Sequence, residues 1–405
     1  MARIQRLTAA TAVIGVVFSA TVTFASPALA EETGATVLTA VNTVTAENTL
    51  TGQIVGGDQL GLKGVQANLG TGADPLPKIW ASSWVLADAG TGEILASKGA
   101  HKLRAPASTL KTLTALTLLP RLPLDGTYVG RQSDVVPGTA TAGVKPGVTY
   151  TNEQLFYGMM LPSGNDAARA LAHSNGGMKK TLKEMNEVAA SIGALDTVAR
   201  TPNGLDKKGQ RSSAYDLALI AMYGLRIPEF ATIVRTEKSS FPGEGGRLRP
   251  IYTTNRLLLD GYRGGIGVKT GFTSEAGRTF IGAATRKGRT LVVALMGIKS
   301  SSAQAAADAL TWGFKNHDEV TPVGTLNVEG ATVVAASSPS APAAEAAEVI
   351  VPDGPPATAA IAVPDISRTT WPPAVWYTLI TLVVAGVMAW AWLRRKSRRS
   401  PYSVI

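Results

Sequence analysis

Between Ala374 and Leu393 the chain runs through 20 residues, AVWYTLITLVVAGVMAWAWL, without one charged side chain. A helix of about that length crosses a hydrocarbon layer roughly 30 Å thick. The stretch therefore predicts a transmembrane helix, and it separates the chain into parts with different solvents. Trp371, Trp376, Tyr377, Trp390 and Trp392 sit near its ends, where amphipathic rings anchor at the interface. Arg394, Arg395, Lys396, Arg398 and Arg399 follow at once, which places the tail, 394–405, in the cytoplasm. At the other end Arg3 and Arg6 precede an apolar stretch from Val13 to Phe24 and then Ala28-Leu29-Ala30, the pattern of an export signal cut after Ala30. The expectation is a single-pass protein of the cell membrane, with its body outside and its C-terminus inside.

This arrangement changes how the formal charge of +10 is read. Two basic residues belong to the signal and five to the tail, and neither segment holds an acid, so the exported part is left at +3. Such a mild excess gives no support to a nucleic-acid partner. The chain has no cysteine. Disulfides, thiolate metal sites and cysteine nucleophiles are thereby excluded.

Residues 31–74 are rich in Thr, Gly, Ala and Val, lack aromatic residues and show no sustained period, and they are expected to form a flexible leader. Residues 319–373 are expected to be a short extension and a Pro/Ala-rich tether to the membrane. The folded unit is placed at 75–318. Ser83 to Ser97 alternates on both sides of Gly90-Thr91-Gly92, a hairpin signal. Helical spacing marks Asn152 to Met160, Asp166 to His173, Met178 to Ile192 and Ala214 to Tyr223. Strand character returns at Gly265 to Phe272, Thr279 to Thr285 and Thr290 to Ile298, the last two joined by a turn at Arg286-Lys287-Gly288-Arg289. A final helix is expected over Ala303 to Phe314. Strands at both ends with helices between them predict an α+β unit, an antiparallel sheet flanked by helices with a helical insertion beside it.

Three short elements carry chemistry. In RAPASTLKTLTAL, Ser108 lies three residues before Lys111, which brings a hydroxyl and an amine to one face of a helix. Pro106, a cap at Ser108 or Thr109, and Leu110, Leu113 and Leu116 would also explain that stretch as a plain helix start. In MLPSGNDAARAL, Ser163-Gly164-Asn165 opens a helix that Asn165 or Asp166 could cap. In GIGVKTGFTSEAGR, Lys269-Thr270-Gly271 lies on a late strand, suited either to an extended ligand with a terminal carboxylate or to protecting a sheet edge. In this order the three match the S-x-x-K, S-x-N and K-T-G set of penicillin-recognising serine enzymes. The three histidines, His101, His173 and His317, come with no G-x-S-x-G elbow and no H-E-x-x-H pair, so they are read as structural.

The chain resembles the low-molecular-mass penicillin-binding proteins, the serine-type D-alanyl-D-alanine carboxypeptidases, over about residues 75–318. PASTLKTLTAL, MLPSGNDAA, TPNGLD, SAYDLA and KTGFTSEAGR carry the likeness. The resemblance implies a β-lactamase/transpeptidase-like fold and no cofactor or metal. It implies Ser108 as nucleophile, Lys111 as its base, and Ser163 as the relay to the leaving D-alanine. Asn165, Lys269, Thr270 and Gly271 would bind the substrate, with Gly271 leaving room for its backbone, and the amides of Ser108 and Phe272 would form the oxyanion hole. The implied partners are peptidoglycan stems ending in D-Ala-D-Ala, β-lactams as covalent inhibitors, and the membrane. Two rivals stand beside this reading, a β-lactamase of the same fold and a membrane-anchored penicillin or muropeptide receptor. The middle motif is Ser-Gly-Asn and no E-x-x-L-N stretch precedes Lys269, which counts against the first. A twelve-residue tail is too short for a signalling domain, which counts against the second.

Overall fold

The computed structural model describes residues 54–326. The segments expected to be an export signal (1–30), most of the extension and tether (319–373), the membrane span (374–393) and the basic tail (394–405) lie outside the described residues. Seven strands form one antiparallel sheet: β1 (Val65–Gln66), β2 (Ser83–Asp88), β3 (Glu93–Lys98), β4 (Gly265–Thr273), β5 (Gly277–Arg286), β6 (Arg289–Ile298) and β7 (Gly324–Thr325). Their spatial order is β1-β3-β2-β6-β5-β4, with β7 also on β3. Early strands thus pair with late ones, Leu86 facing Val293 and Val85 facing Ala294 across β2 and β6. The two-residue link between β5 and β6, Lys287-Gly288, has φ of 49° and 79°, the doubly left-handed backbone that matches the twist of a tight hairpin.

Helices fill the middle of the chain: α1 (Lys111–Leu118), α2 (Asn152–Met160), α3 (Asn165–Ser174), α4 (Met178–Ser191), α5 (Ala214–Leu225), α6 (Pro228–Arg235), α7 (Arg256–Leu259) and α8 (Ser302–Asn316). Both faces of the sheet are covered. Val292, Ala294 and Met296 join the core shared with α1 and α5, while Leu291, Val293 and Leu295 pack with Leu310 and Trp312 of α8. This burial on two sides explains why β6 reads as a nearly continuous apolar run. In α5 every residue from Ala214 to Gly224 is buried, the mark of a central helix.

The predicted hairpin, the four predicted helices, the three late strands and the closing helix all form. Sequence reasoning missed α6 and the hairpin Lys238–Pro242 with Leu248–Tyr252. Three expectations need correction. From Ile54 onward the leader belongs to the folded body: Leu60 is buried in the main core, β1 extends the sheet, and Asn68–Leu69 pairs with Val320–Thr321. The body continues past 318, since Leu326 is fully buried and β7 adds to β3. The charge is also distributed otherwise than a net +3 suggests. The basic signal and tail and the acidic stretches 31–53 and 327–373 cancel, so residues 54–326 alone carry the formal +10.

Candidate active site

β4 ends the sheet, and the segment containing Ser108 crosses directly beside it. Ala107 adopts φ 50°, left-handed for a residue with a side chain, and this turns the chain sharply behind Pro106. Gly204 accommodates the turn, because a Cβ there would overlap the Ala107 carbonyl oxygen. A 3-10 helix then spans Ala107–Leu110 and passes into α1 at Lys111. With three residues per turn, a 3-10 segment eclipses i and i+3. Ser108 is therefore not a helix cap, as no side chain caps either helix, and its hydroxyl lies directly against the Lys111 amine.

Lys111 is fully buried, and its Nζ lies 2.8 Å from Ser108 Oγ, 2.7 Å from Asn165 Oδ1 and 2.7 Å from the Asn203 carbonyl oxygen. Asn165 Oδ1 and Asn203 O can only accept, so they fix two amine hydrogens. In the neutral amine the lone pair is then left facing Ser108, which can donate its proton to it. Burial holds the Lys111 pKa well below the usual lysine value, and the neighbouring Lys269 charge pushes it the same way, against a smaller opposing pull from Asp166.

Asn165 reaches Lys111 because it opens α3 immediately after a strained turn, in which Ser163 has φ 63°. Gly164 is required there, since a Cβ would come within 2.6 Å of the Gly158 carbonyl oxygen. Asp166 does more than start the helix. Its carboxylate accepts from the amides of Ala142, Gly143, Val144 and Ala167, and this fixes the loop that flanks Ser163. Arg249 donates to the Ala142 carbonyl and braces the same loop from the 238–252 hairpin.

Lys269 is 1% exposed, which rules out an edge-protecting role. Its Nζ donates to the Thr270 carbonyl at 2.9 Å, and burial lowers its pKa to about 7. A hydrogen bond of 3.1 Å joins Thr270 Oγ1 to Thr254 Oγ1. Gly271 is also required by the protein's own packing. A Cβ on it would meet Thr279 Oγ1 at 2.3 Å and the amide nitrogens of Ser108 and Thr109 at 3.0 Å, so the glycine makes room for the protein's own turn. Thr279 Oγ1 in turn donates to the Pro106 carbonyl at 2.9 Å.

Ser108, Ser163, Thr270, Gly271 and Phe272 line one cleft of about 730 Å³, joined by Thr254, Arg256 and Arg278. Lys111, Asn165 and Lys269 stand behind its wall, so the three sequence motifs converge here. Sequence reasoning had assigned no role to Asn203, Gly204 or Thr279; the TPNGLD signature was the one available signal for the first two. The histidines lie in pairs elsewhere: His101 with Asp196 at 2.8 Å, His173 with Asp134 at 2.5 Å and His317 with Asp318 at 2.6 Å. Among the described residues no group of His, Asp and Glu could hold a metal ion.

Residues 70–300 match the family described as D-alanyl-D-alanine carboxypeptidase, peptidase S11. Over 262 residues the chain is 40% identical to D-alanyl-D-alanine carboxypeptidase DacB2 of Mycobacterium tuberculosis, covering 63% of this chain and 89% of that protein. It is 31% identical over 271 residues to DacA of Escherichia coli, covering 63% of this chain and 66% of the relative. A crystal structure of a D-alanyl-D-alanine carboxypeptidase from Mycobacterium tuberculosis superposes with a TM-score of 0.60 at 40% identity, over 64% of this chain and 99% of the other. The Streptomyces K15 DD-transpeptidase superposes with a TM-score of 0.57 at 30% identity, over 60% and 100%. By the extent of the family match and by these relatives, the chain belongs to peptidase family S11, the serine D-alanyl-D-alanine carboxypeptidases.

Proposed function

We propose that this enzyme removes the terminal D-alanine from peptidoglycan stems ending in D-Ala-D-Ala, through an acyl-enzyme on Ser108. The contact of 2.8 Å between Ser108 Oγ and a fully buried, charge-disfavoured Lys111 amine carries the reading. Ser108 Oγ attacks the carbonyl of the D-Ala-D-Ala bond while its proton passes to Lys111 Nζ. Asn165 and the Asn203 carbonyl hold Nζ in register for that transfer. The amides of Ser108 and Phe272 receive the oxyanion, a contribution of about 3 kcal/mol per donor in comparable sites. Lys269 and Thr270 hold the terminal carboxylate, and Ser163 hands the proton to the departing D-alanine nitrogen. Water then attacks the ester, with Lys111 again taking the proton, and the shortened stem leaves.

A β-lactam enters the same path, opening its ring on Ser108 and remaining as an ester. Lysine is the base here, and no deacylating glutamate motif accompanies it in the sequence, which favours a penicillin target over a β-lactamase. Removing the fifth residue deprives a stem of the bond whose energy drives transpeptidation, so the enzyme limits cross-linking. The apolar stretch Ala374 to Leu393 and the export pattern before Glu31 support a body held outside the membrane by a C-terminal span, which would raise its concentration near the wall polymer. Release of D-alanine from a peptide ending in D-Ala-D-Ala, measured beside a Ser108→Ala variant, tests the activity.

A further inference from the structure

A cavity of about 240 Å³ lies between α3, α4 and the segment 200–205. It contains two arginines and no acidic side chain. Arg169 Nε is buried without a hydrogen-bond partner, and neither Arg169 nor Arg200 forms an ion pair among the described residues. Each guanidinium is a cationic fork of donors with no acceptor of its own. Two like charges on one cavity, one with an orphaned donor, leave a site short of an anion. The volume is below the range of roughly 300–1,000 Å³ that whole ligands occupy, and it suits a single side chain. Met178 and Leu182 supply an apolar floor for the carbon part of such a chain.

The cavity's position points to the occupant. Asn165, which holds Lys111, and Arg169 stand four residues apart on α3, about 6 Å along its axis. Asn203 lines the cavity while its carbonyl accepts from Lys111, so one residue borders both places. If Lys269 and Thr270 hold the terminal carboxylate, the acyl half of the substrate runs along β4 toward Thr273. There Thr273 Oγ1 donates to Asp206 at 2.7 Å, which ties the strand to the segment that walls the cavity. The residue preceding the scissile pair lies one step of about 3.3–3.6 Å beyond the acylated D-alanine. Its side chain would leave the strand near Thr273 and Asp206, beside the segment that carries Arg200.

We propose that Arg169 and Arg200 form a subsite for a free carboxylate on the side chain that precedes D-Ala-D-Ala, and so make this carboxypeptidase selective for stems acidic at that position. The proposal rests on the activity described above. Two peptides serve as probes, both ending in D-Ala-D-Ala, one with a side-chain carboxylate on the preceding residue and the other with the matching carboxamide. A charged hydrogen bond contributes about 1.5–3 kcal/mol, so the wild type should favour the acidic peptide roughly ten- to a hundredfold in kcat/KM. Arg169→Gln and Arg200→Gln should each reduce that ratio and together bring it near one, with turnover of the carboxamide unchanged; Arg169→Lys should restore part of it. Arg200 is exposed, so its variant remains informative if Arg169→Gln does not fold. Equal turnover of both peptides by the wild type, or a preference that survives in the variants, overturns the subsite alone. Release from neither peptide by folded enzyme overturns the activity reading and the subsite with it.

Discussion

Gly271→Ala tests how closely the K-T-G strand is fitted to the nucleophile turn. An added Cβ would lie 2.3 Å from Thr279 Oγ1 and 3.0 Å from the Ser108 and Thr109 amides, whereas ordinary contacts begin near 3.4 Å. Thr279 cannot swing away freely, because it is buried and its hydroxyl is bonded to Pro106 O. The strand and the turn must separate by about 1 Å, a misplacement that can cost about a hundredfold in rate. The strain itself should destabilise the fold by about 1–3 kcal/mol, or roughly 2–4 °C in melting temperature per kcal/mol for a body of this size. The assay pairs the second-order rate of acylation by a penicillin with a thermal melt. Thr279→Ala in the same background should recover part of the rate, since it deletes the nearest contact. A Gly271→Ala enzyme that acylates at the wild-type rate and melts at the wild-type temperature would refute the steric argument.

Two further perturbations follow from the buried charges. Asp166→Asn keeps the shape but replaces one of the oxygens that accept from Ala142, Gly143 and Val144 with a donor, and it should cost about 3 kcal/mol in denaturant unfolding while loosening the 140–144 loop to proteolysis; an unchanged midpoint and cleavage pattern would contradict this. Lys269 titrates at about 7 in the fold and at about 10.4 in the unfolded chain, so its burial penalty is full below about pH 7 and fades as pH rises toward the unfolded value. The stability gained by Lys269→Met over the wild type should accordingly be largest near pH 6 and shrink toward pH 9, and a gain independent of pH would show that Lys269 is not the titrating group.

The regular elements were legible because their periods are strong: α3, α4 and α5 alternate or saturate with apolar residues, and β5 and β6 flank a Lys-Gly turn. The hairpin from Lys238 to Tyr252 escaped because its strands carry exposed Lys238, Leu248 and Tyr252 and owe their pairing to the body beside them. Residues 54–74 were misjudged for a related reason. Two-residue strands have no readable period, and Leu60 is the one fully buried residue of the segment, with Ile54 and Val55 packed part-buried against the same core. Motif spacing located Ser108, Lys111, Ser163, Asn165 and Lys269 together. It could not show that a left-handed Ala107 and a 3-10 turn align Ser108 with Lys111, or that a backbone carbonyl from Asn203 completes the amine's bonding. Backbone acceptors carry no side-chain signature, and the demand on Gly271 comes from Thr279, its partner on the neighbouring strand.

In the proposed mechanism Ser108 Oγ is the atom that receives the acyl group. The most direct measurement is D-alanine release from a D-Ala-D-Ala peptide by the wild type and by Ser108→Ala, with intact mass recorded during turnover. The account predicts release by the wild type with a transient ester mass that maps to the peptide containing Ser108, and loss of both in Ser108→Ala. Release that persists in folded Ser108→Ala, or an acyl mass on another residue, would contradict it.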